Sequence, residues 1–328
     1  MRTLLTFDYE VYFGRRTGTV ERCLLEPTEA LLDIAERRRA PLAFFVDAGY
    51  LLALRREMRH APALARDHAA VCRQLKRIVR RGHELQLHIH PHWEDARWEE
   101  GAWHLDLARY ALHAFTPAEV GEIVARYLAA LRDLGGPSAG RAYRAGGWVI
   151  QPFDRLRDAL RSAGVVIDST VYPGGHRGGT VQPYDFRAAP ARSRWRFESD
   201  PLVEDANGAF LEVPIASRRL TPGFFWRLAA AKKAGGARHR AFGDGEAIAM
   251  DGADLLSRLT APSTSVVSID GYKASFLDEA ADDYRHRGLE DFVVLGHPKA
   301  LSPFSLERLD RFLAGPRAGE LANYSAYQ

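Results

Sequence analysis

The residues with the clearest chemical potential lie in one short stretch, Gly82–Trp93, which reads GHELQLHIHPHW. Apolar and polar residues alternate through most of it, and a period of two is typical of a strand with one apolar and one polar face. His88, His90 and His92 occupy every second position at its end, and Pro91 is expected to end the strand because it cannot donate to a sheet ladder. Imidazole is the commonest side-chain metal ligand, so this spacing favours a metal or catalytic site over a solvated edge strand.

A pair of carboxylates follows the first predicted strand. Residues Thr3–Phe7 form a short run of strand type, and Asp8 and Glu10 come directly after it, two positions apart. Side chains two apart on a strand point the same way, so the two carboxylates are expected to share a face. A hydrolytic metal centre uses one carboxylate as a ligand and another as a base, and this pair offers both.

Segments of strand type and helix type alternate along the chain, which is typical of parallel strands joined by crossover helices. We predict strands at 3–7, 41–46, 84–90, 141–144, 165–167, 210–215, 265–269 and 292–295. We predict helices at 26–39, 64–81, 117–134, 153–163, 222–233, 252–259, 276–287 and 305–313. The sequence therefore predicts an α/β fold and one domain over residues 1–328, with loop excursions near 93–115 and 176–207. The aromatic residues of the first excursion are expected either to stack on a sugar ring or to pack the loop against the domain.

The polar residues of interest share one location in this pattern. Each comes at the carboxyl end of a predicted strand: Asp8, Glu10, His88, His90, His92, Arg144, Asp168 and His297. In barrels of parallel strands active sites assemble at that rim, so these distant segments are expected to meet there. Arg144 is further expected to hold a carboxylate such as Asp8 in a two-pronged contact.

The composition is ordinary for a soluble globular protein, with 46% hydrophobic residues, 27% charged residues and a net charge of +3. The arginine-rich stretches lack interleaved aromatics and a known binding motif, so no nucleic-acid partner is predicted. Cys23 and Cys72 form no paired motif and are interpreted as reduced thiols, as expected in the cytoplasm. We recognise no export signal and no apolar run of membrane-spanning length, and therefore predict a cytoplasmic protein without a membrane span.

Taken together, the motifs resemble those of the polysaccharide deacetylases (carbohydrate esterase family four), in a branch of that family with Asp-x-Glu in the first motif. The resemblance runs in order through Thr6–Glu10, Leu42–Tyr50, Gly82–His92, Arg144–Trp148, Gly164–Gly174 and Leu295–Pro298. Members of this family fold as a distorted (β/α) barrel, commonly of seven strands, depend on a metal and remove acetyl groups from N-acetylated sugars. The resemblance therefore implies a distorted (β/α) barrel of about seven parallel strands for this chain.

The resemblance also implies catalytic roles for individual residues. Asp8 would be the general base, Arg144 would orient Asp8, and His297 would be the general acid. Asp168, which lies in the matching segment Gly164–Gly174, is counted with these catalytic residues.

The implied metal ligands depart in part from the family pattern. His88 and His92 have the usual separation of four residues, and Glu10 replaces a ligand because many members carry a second Asp where this chain has Tyr9. His90 is an extra imidazole and an alternative to His92 on strand geometry. The implied cofactor is a divalent metal, with zinc favoured over nickel and cobalt.

These residues lead to the hypothesis of a metal-dependent deacetylase that hydrolyses the N-acetyl group of an amino sugar or glycan intermediate. Two alternatives stay open at this point. Tyr9 and the altered arginine motif, in which Gly146 or Gly147 replaces a proline, suggest a non-catalytic barrel that binds a glycan or a partner. The other alternative is an amidase that acts on a C–N bond outside sugars.

Overall fold

A curled, mostly parallel sheet forms the centre of the computed structural model, which describes residues 1–249 and 251–327. Its strands, with those of three small hairpins, are β1 Arg2–Tyr9, β2 Ala43–Asp47, β3 Glu84–Ile89, β4 Arg97–Glu99, β5 Ala102–His104, β6 Ala142–Ala145, β7 Ile167–Asp168, β8 His176–Arg177, β9 Tyr184–Asp185, β10 Trp195–Phe197, β11 Phe210–Glu212, β12 Ser217–Leu220, β13 Ser263–Val266, β14 Asp291–Gly296 and β15 Glu320–Ala322. The helices are α1 Glu26–Arg38, α2 Ala48–Glu57, α3 Pro62–Arg80, α4 Pro117–Gly135, α5 Asp154–Ser162, α6 Pro222–Ala234, α7 Gly236–His239, α8 Gly252–Thr260, α9 Leu277–His286 and α10 Pro303–Ala314.

The sheet has the order β10-β11-β7-β6-β3-β2-β1-β14, with β15 also paired to β1. Every pair in it is parallel except β10 with β11. Between β11 and β14 there is no regular ladder in the described chain, and isolated bridges Ile215–Val293 and Ser268–Leu295 join the two sides instead. The ring is therefore closed irregularly, and the predicted fold class, a distorted (β/α) barrel of about seven parallel strands, is confirmed.

Residues near the carboxyl end of the described chain fill the interior of the ring at the amino ends of its strands. A compact apolar cluster takes residues from successive strands of the sheet and adds Tyr324 and Tyr327. The Tyr324 ring meets Phe45 edge to face at 5.4 Å, and its hydroxyl donates to Ser169 Oγ at 2.6 Å. The Arg144 guanidinium lies on the Phe45 ring, with its Cζ 3.9 Å from the ring centre. Arg144 therefore lies between this apolar cluster and the carboxyl rim of the sheet.

All eight predicted helices are present, and α4 begins as its sequence indicates. The Thr116 side chain accepts from the backbone N–H of Glu119, and the Glu119 carboxylate accepts from Thr116, which is a complete capping box. Helix α2 was not predicted because Gly49 in the Asp-Ala-Gly-Tyr sequence suggests a turn after β2. That glycine is used for close packing, since a Cβ there would lie 2.7 Å from the Tyr127 hydroxyl.

The two predicted excursions lie at the carboxyl rim and contain short hairpins, β4–β5 in the first and β8–β9 in the second. The tryptophans of the first excursion mainly pack it down: Trp93 and Trp103 are buried, and Trp93 Nε1 donates to Asp47 at 2.6 Å. The packing alternative therefore holds for these two residues. The number of domains stays a prediction. Among the described helices, none combines the length and apolar character needed to cross a bilayer.

Candidate active site

A cavity of about 230 Å³ opens at the carboxyl rim of the sheet. The residues predicted from sequence that line it are Asp8, Glu10, His88, His90 and His297. Asp8 and Glu10 come from the end of β1 and the residue after it, the first two histidines from β3 and the residue after it, and His297 follows β14. The shared edge of parallel strands thus brings together residues almost 290 positions apart in the sequence.

The centre of the cavity is a cluster of one carboxylate and two imidazoles. Glu10 Oε2 lies 2.7 Å from His90 Nε2 and 3.1 Å from His88 Nε2, and the two nitrogens are 3.1 Å apart. His88 Nδ1 lies 2.9 Å from the Arg144 carbonyl oxygen, which can only accept. When its ring is neutral, His88 therefore donates through Nδ1 and directs the lone pair of Nε2 at the cluster, as metal-ligating histidines commonly do.

The pKa values in this cluster diverge although all three groups are buried. Burial opposes ionisation of Glu10, but Lys299 and the two histidines hold the pKa of Glu10 well below its usual value. Burial lowers the pKa of His90 to about 4, so its imidazole is neutral and can offer a lone pair. Burial acts on His88 in the same direction, but Asp8 and Glu10 outweigh it and raise the pKa of His88.

His92, expected as the second histidine ligand, lies outside this cluster. Glu10, His88 and His90 are the group of potential ligands found together within the described chain, with donor atoms all within 4.8 Å of one another. His92 stacks on Tyr110 at 5.3 Å and 12°, and both of its ring nitrogens are buried without a hydrogen-bond partner. The reason is local: a 3₁₀ turn begins at Pro91, so His92 no longer follows the alternation that aligns the other two.

Asp8 lies beside the cluster and is held from behind by Arg144. Arg144 Nη1 donates to Asp8 Oδ1 at 2.6 Å, while Nε and Nη2 donate to Ser169 and Thr6. The guanidinium therefore contacts Asp8 through one nitrogen and not in the predicted two-pronged manner. Asp8 Oδ2 is free to face the cavity, 3.9 Å from His88 Nε2 and 3.6 Å from His297 Nε2.

His297 is oriented by Asp270, a residue that we did not assign to the site from the sequence. Asp270 Oδ2 lies 2.8 Å from His297 Nδ1, and Asp270 Oδ1 accepts from the His297 backbone N–H at 2.8 Å. Burial lowers the pKa of His297, but Asp270, with Asp8 and Glu10, overcomes this and raises it above the ordinary histidine value. The available signal was position, because Asp270 comes directly after the predicted strand 265–269.

Lys299 is the second residue that sequence reasoning missed. Its ammonium is buried and donates to Glu10 Oε1 at 2.8 Å and to the Val11 carbonyl at 2.6 Å. The ring centres of Tyr12 and Phe13 lie 4.8 and 4.9 Å from Nζ. One Glu10 oxygen is therefore used by Lys299, and the other is directed at the histidines. Lys299 is two residues after His297, which is the only hint that the sequence contains.

Asp168, predicted as catalytic, does not line the cavity. Its carboxylate accepts from the Thr170 hydroxyl at 2.7 Å and from the Thr170 backbone N–H at 3.1 Å. Asp168 is also the ladder partner of Glu212 on β11, so the two buried carboxyls are neighbours. Burial raises the pKa of Asp168, although its hydrogen bond with Glu212 acts in the opposite direction. Burial and the neighbouring Asp168 together raise the pKa of Glu212 well above its usual value, which favours a protonated Glu212. Strand β7 has only two residues, so the sequence contains no alternation that predicts which way the Asp168 side chain points.

No protein-family model matches the chain, and no curated protein matches its sequence. Its fold is nevertheless similar to solved structures. A candidate polysaccharide deacetylase from Mycobacterium smegmatis superposes with a TM-score of 0.52 at 17% identity, over 99% of this chain and 87% of that one. A candidate polysaccharide deacetylase from Pseudomonas aeruginosa PAO1 gives a TM-score of 0.50 at 13% identity, over 99% and 88% of the two chains. The fold that the motif resemblance implied is thus confirmed, and the chain has the fold of these solved structures, which are described as polysaccharide deacetylases.

Proposed function

We propose that this protein is a metal-dependent hydrolase that removes the N-acetyl group from an amino sugar or glycan intermediate. The observation that carries the proposal is the arrangement in one cavity of a Glu-His-His cluster, a carboxylate and a distal histidine. Asp8 Oδ2 and His297 Nε2 are 3.6 Å apart, and Glu10 Oε1 lies 3.8 Å from the same histidine nitrogen. A base, an acid and a set of ligands are therefore all within reach of one small substrate group.

The residues fit a divalent cation. One carboxylate oxygen and two imidazole nitrogens are the donor set that zinc takes in catalytic sites, where positions stay open for water and substrate. His90 Nδ1 is buried without a partner, and Nε2 already points at Glu10. A bound cation would polarise the acetyl carbonyl and lower the pKa of water. We propose zinc, held by Glu10, His88 and His90, with His92 as the alternative to His90.

Asp8 and His297 carry the proton transfers in this proposal. Asp8 accepts a proton from the attacking water through Oδ2, because its other oxygen is fixed by Arg144. His297 donates a proton from Nε2 to the departing nitrogen, since an amide nitrogen does not leave as an anion. Asp270 holds Nδ1 of His297 and favours the charged imidazole that this donation requires. Acetate and a free amine are the products.

An acetylated sugar is the proposed substrate because the solved structures that share this fold are described as polysaccharide deacetylases. The cavity is partly lined by Trp148 and Tyr110, aromatic residues of the kind that contact sugar rings.

We also propose a cytoplasmic location, in keeping with two cysteines that form no disulfide.

The test combines metal analysis with acetate release. Purified protein should contain or bind one zinc, nickel or cobalt ion and release acetate from an N-acetylated hexosamine. Asp8→Asn should abolish turnover and keep the metal. His90→Ala and His92→Ala form a matched pair: the first should weaken cobalt binding by at least about 100-fold and the second by far less. A protein that binds no metal and releases no acetate from any N-acetylated sugar would contradict the proposal.

A further inference from the structure

We propose that the cavity takes an amino sugar carrying an oxyanion, a carboxylate or a phosphate, and that Arg177 binds this group. The inference rests on the proposed function for the sugar itself, and on the charge and geometry of the cavity for the anion.

Arg177 is a half-buried cation at the cavity wall without an acidic partner. Among the residues that the structure describes, no carboxylate oxygen lies within 4.0 Å of its guanidinium. Within the described chain its guanidinium donates one hydrogen bond, from Nη1 to Gln182 Oε1 at 2.5 Å. A guanidinium has five N–H donors in a planar fork, so most of this fork remains available. That fork matches the two oxygens of a carboxylate or phosphate.

The direction of this fork is fixed by a short chain of contacts. Gln182 receives the bond from Arg177 and in turn donates from Nε2 to the Tyr110 hydroxyl at 2.5 Å. Gly147 leaves just enough room for this contact, because a Cβ at that position would lie 2.6 Å from the Tyr110 hydroxyl and 2.7 Å from Gln182 Nε2. Residues from both excursions thus hold Arg177 in place before any ligand arrives, which reduces the entropy lost on binding.

The other cations around the cavity are already used. Lys299 is paired with Glu10 at 2.8 Å and Arg144 with Asp8 at 2.6 Å. Among the described residues of the cavity wall, Arg177 is therefore the cation that no carboxylate neutralises. A metal ion in the Glu-His-His cluster would add further positive charge. Such a cavity favours a substrate with negative charge of its own.

The size of the cavity limits where the anion is carried. About 230 Å³ is below the range of roughly 300–1,000 Å³ that is usual for drug-sized ligands. The space suits one sugar ring with the acetyl group at the cluster, and the anion must then be on that ring or directly attached to it. N-acetylated aminouronic acids and N-acetylhexosamine phosphates, including nucleotide-activated sugars, share this chemistry.

The test compares three substrates with one metal-loaded protein: a neutral N-acetylhexosamine, its 1-phosphate and the corresponding N-acetylated aminouronic acid. The wild type should prefer at least one anionic substrate by about 10-fold or more in kcat/KM, the range expected for a charged hydrogen bond. Arg177→Gln should remove this preference through KM, leave kcat nearly unchanged and leave the neutral sugar unaffected. Arg177→Lys keeps the charge without the fork and should be intermediate. Arg187→Gln, an exposed residue of the same excursion paired with Asp185, is the matched control and should change nothing.

Two results would overturn the inference. One is a wild type with the same kcat/KM for the anionic sugars and the neutral one. The other is an Arg177→Gln variant whose activity falls equally on all three substrates. The phosphate and the uronic acid arms identify which anion is preferred. A binding arm separates this inference from the proposed reaction. In the Asp8→Asn background, calorimetry should show that the anionic sugar binds about 10-fold more tightly than the neutral one, and that Arg177→Gln abolishes the difference. That result would support the anion site even if no sugar were ever turned over, and equal affinities would exclude it.

Discussion

The contact between Lys299 and Glu10 gives a sharp test of the buried electrostatics of this site. Both side chains are almost inaccessible, with exposures of 8% and 7%, and the two charged atoms are 2.8 Å apart. Removing one partner of a buried pair costs about 3–5 kcal/mol, because the remaining charge is left uncompensated. Lys299→Met retains the length of the apolar stem and removes only the ammonium. The free energy of unfolding of the metal-free protein is therefore expected to fall by about 3–5 kcal/mol.

The chain offers a matched control for this experiment. Arg218 and Glu279 are also 2.8 Å apart, but their side chains are 30% and 69% exposed. Exposed pairs contribute about 0–1 kcal/mol, so Arg218→Met should have little effect. Urea unfolding in the presence of a chelator measures both variants under conditions in which no cation can substitute for the ammonium.

A double variant separates the charge from the packing. Adding Glu10→Gln to Lys299→Met removes the uncompensated carboxylate and should recover a substantial part of the lost stability. The reasoning would be refuted if Lys299→Met cost no more than Arg218→Met, or if the double variant were as unstable as the sum of the two single variants.

Three further predictions follow from other contacts. Asp270→Asn should lower the pKa of His297, because the carboxylate is what raises it, so the loss of activity on the alkaline side of the pH profile should move to lower pH. Gly147→Ala should cost about 1–2 kcal/mol of stability at φ +61° and also lower substrate affinity, measured as KM, because the new Cβ meets the Tyr110 hydroxyl. Glu212→Gln should raise the free energy of unfolding at alkaline pH and have little effect below the ordinary carboxyl pKa of 4.5, because the raised pKa keeps a proton on the folded protein that the unfolded chain releases. If that assignment were wrong, urea unfolding at several pH values would show the same pH dependence of the free energy of unfolding in the wild type and in the Glu212→Gln variant.

The elements with strong periodicity could be predicted because one physical rule governs them. Alternation along β3 and the position of Asp8 at the end of β1 fix the ends of two parallel strands, and parallel strands present their carboxyl ends at one edge. Whether His90 or His92 joins Glu10 and His88 depends on where strand β3 ends. The turn that begins at Pro91 takes His92 out of the alternation and leaves His90 in the cluster. Alternation cannot supply that information, because His90 and His92 lie on the same side only if the strand continues.

The residues that support the site were harder to predict for a different reason. Asp270 and Lys299 act through partners that are distant in sequence, His297 and Glu10, and no local pattern encodes such a pairing. Asp168 had the correct position after a strand, but a strand of two residues has no alternation from which its facing could be inferred. The proximity of Asp168 to Glu212 is apparent only when β7 and β11 are placed in register.

The contacts beneath Arg144 extend the site to the opposite end of the barrel. The Tyr324 hydroxyl donates to Ser169 Oγ, Arg144 Nη2 donates to the same oxygen at 3.3 Å, and Arg144 in turn fixes Asp8. Two side chains thus link residue 324 to the proposed base. A molecule that displaced Tyr324 would disturb Asp8 without entering the cavity at the carboxyl rim, so the opposite end of the barrel is a place where an inhibitor need not compete with the proposed substrate.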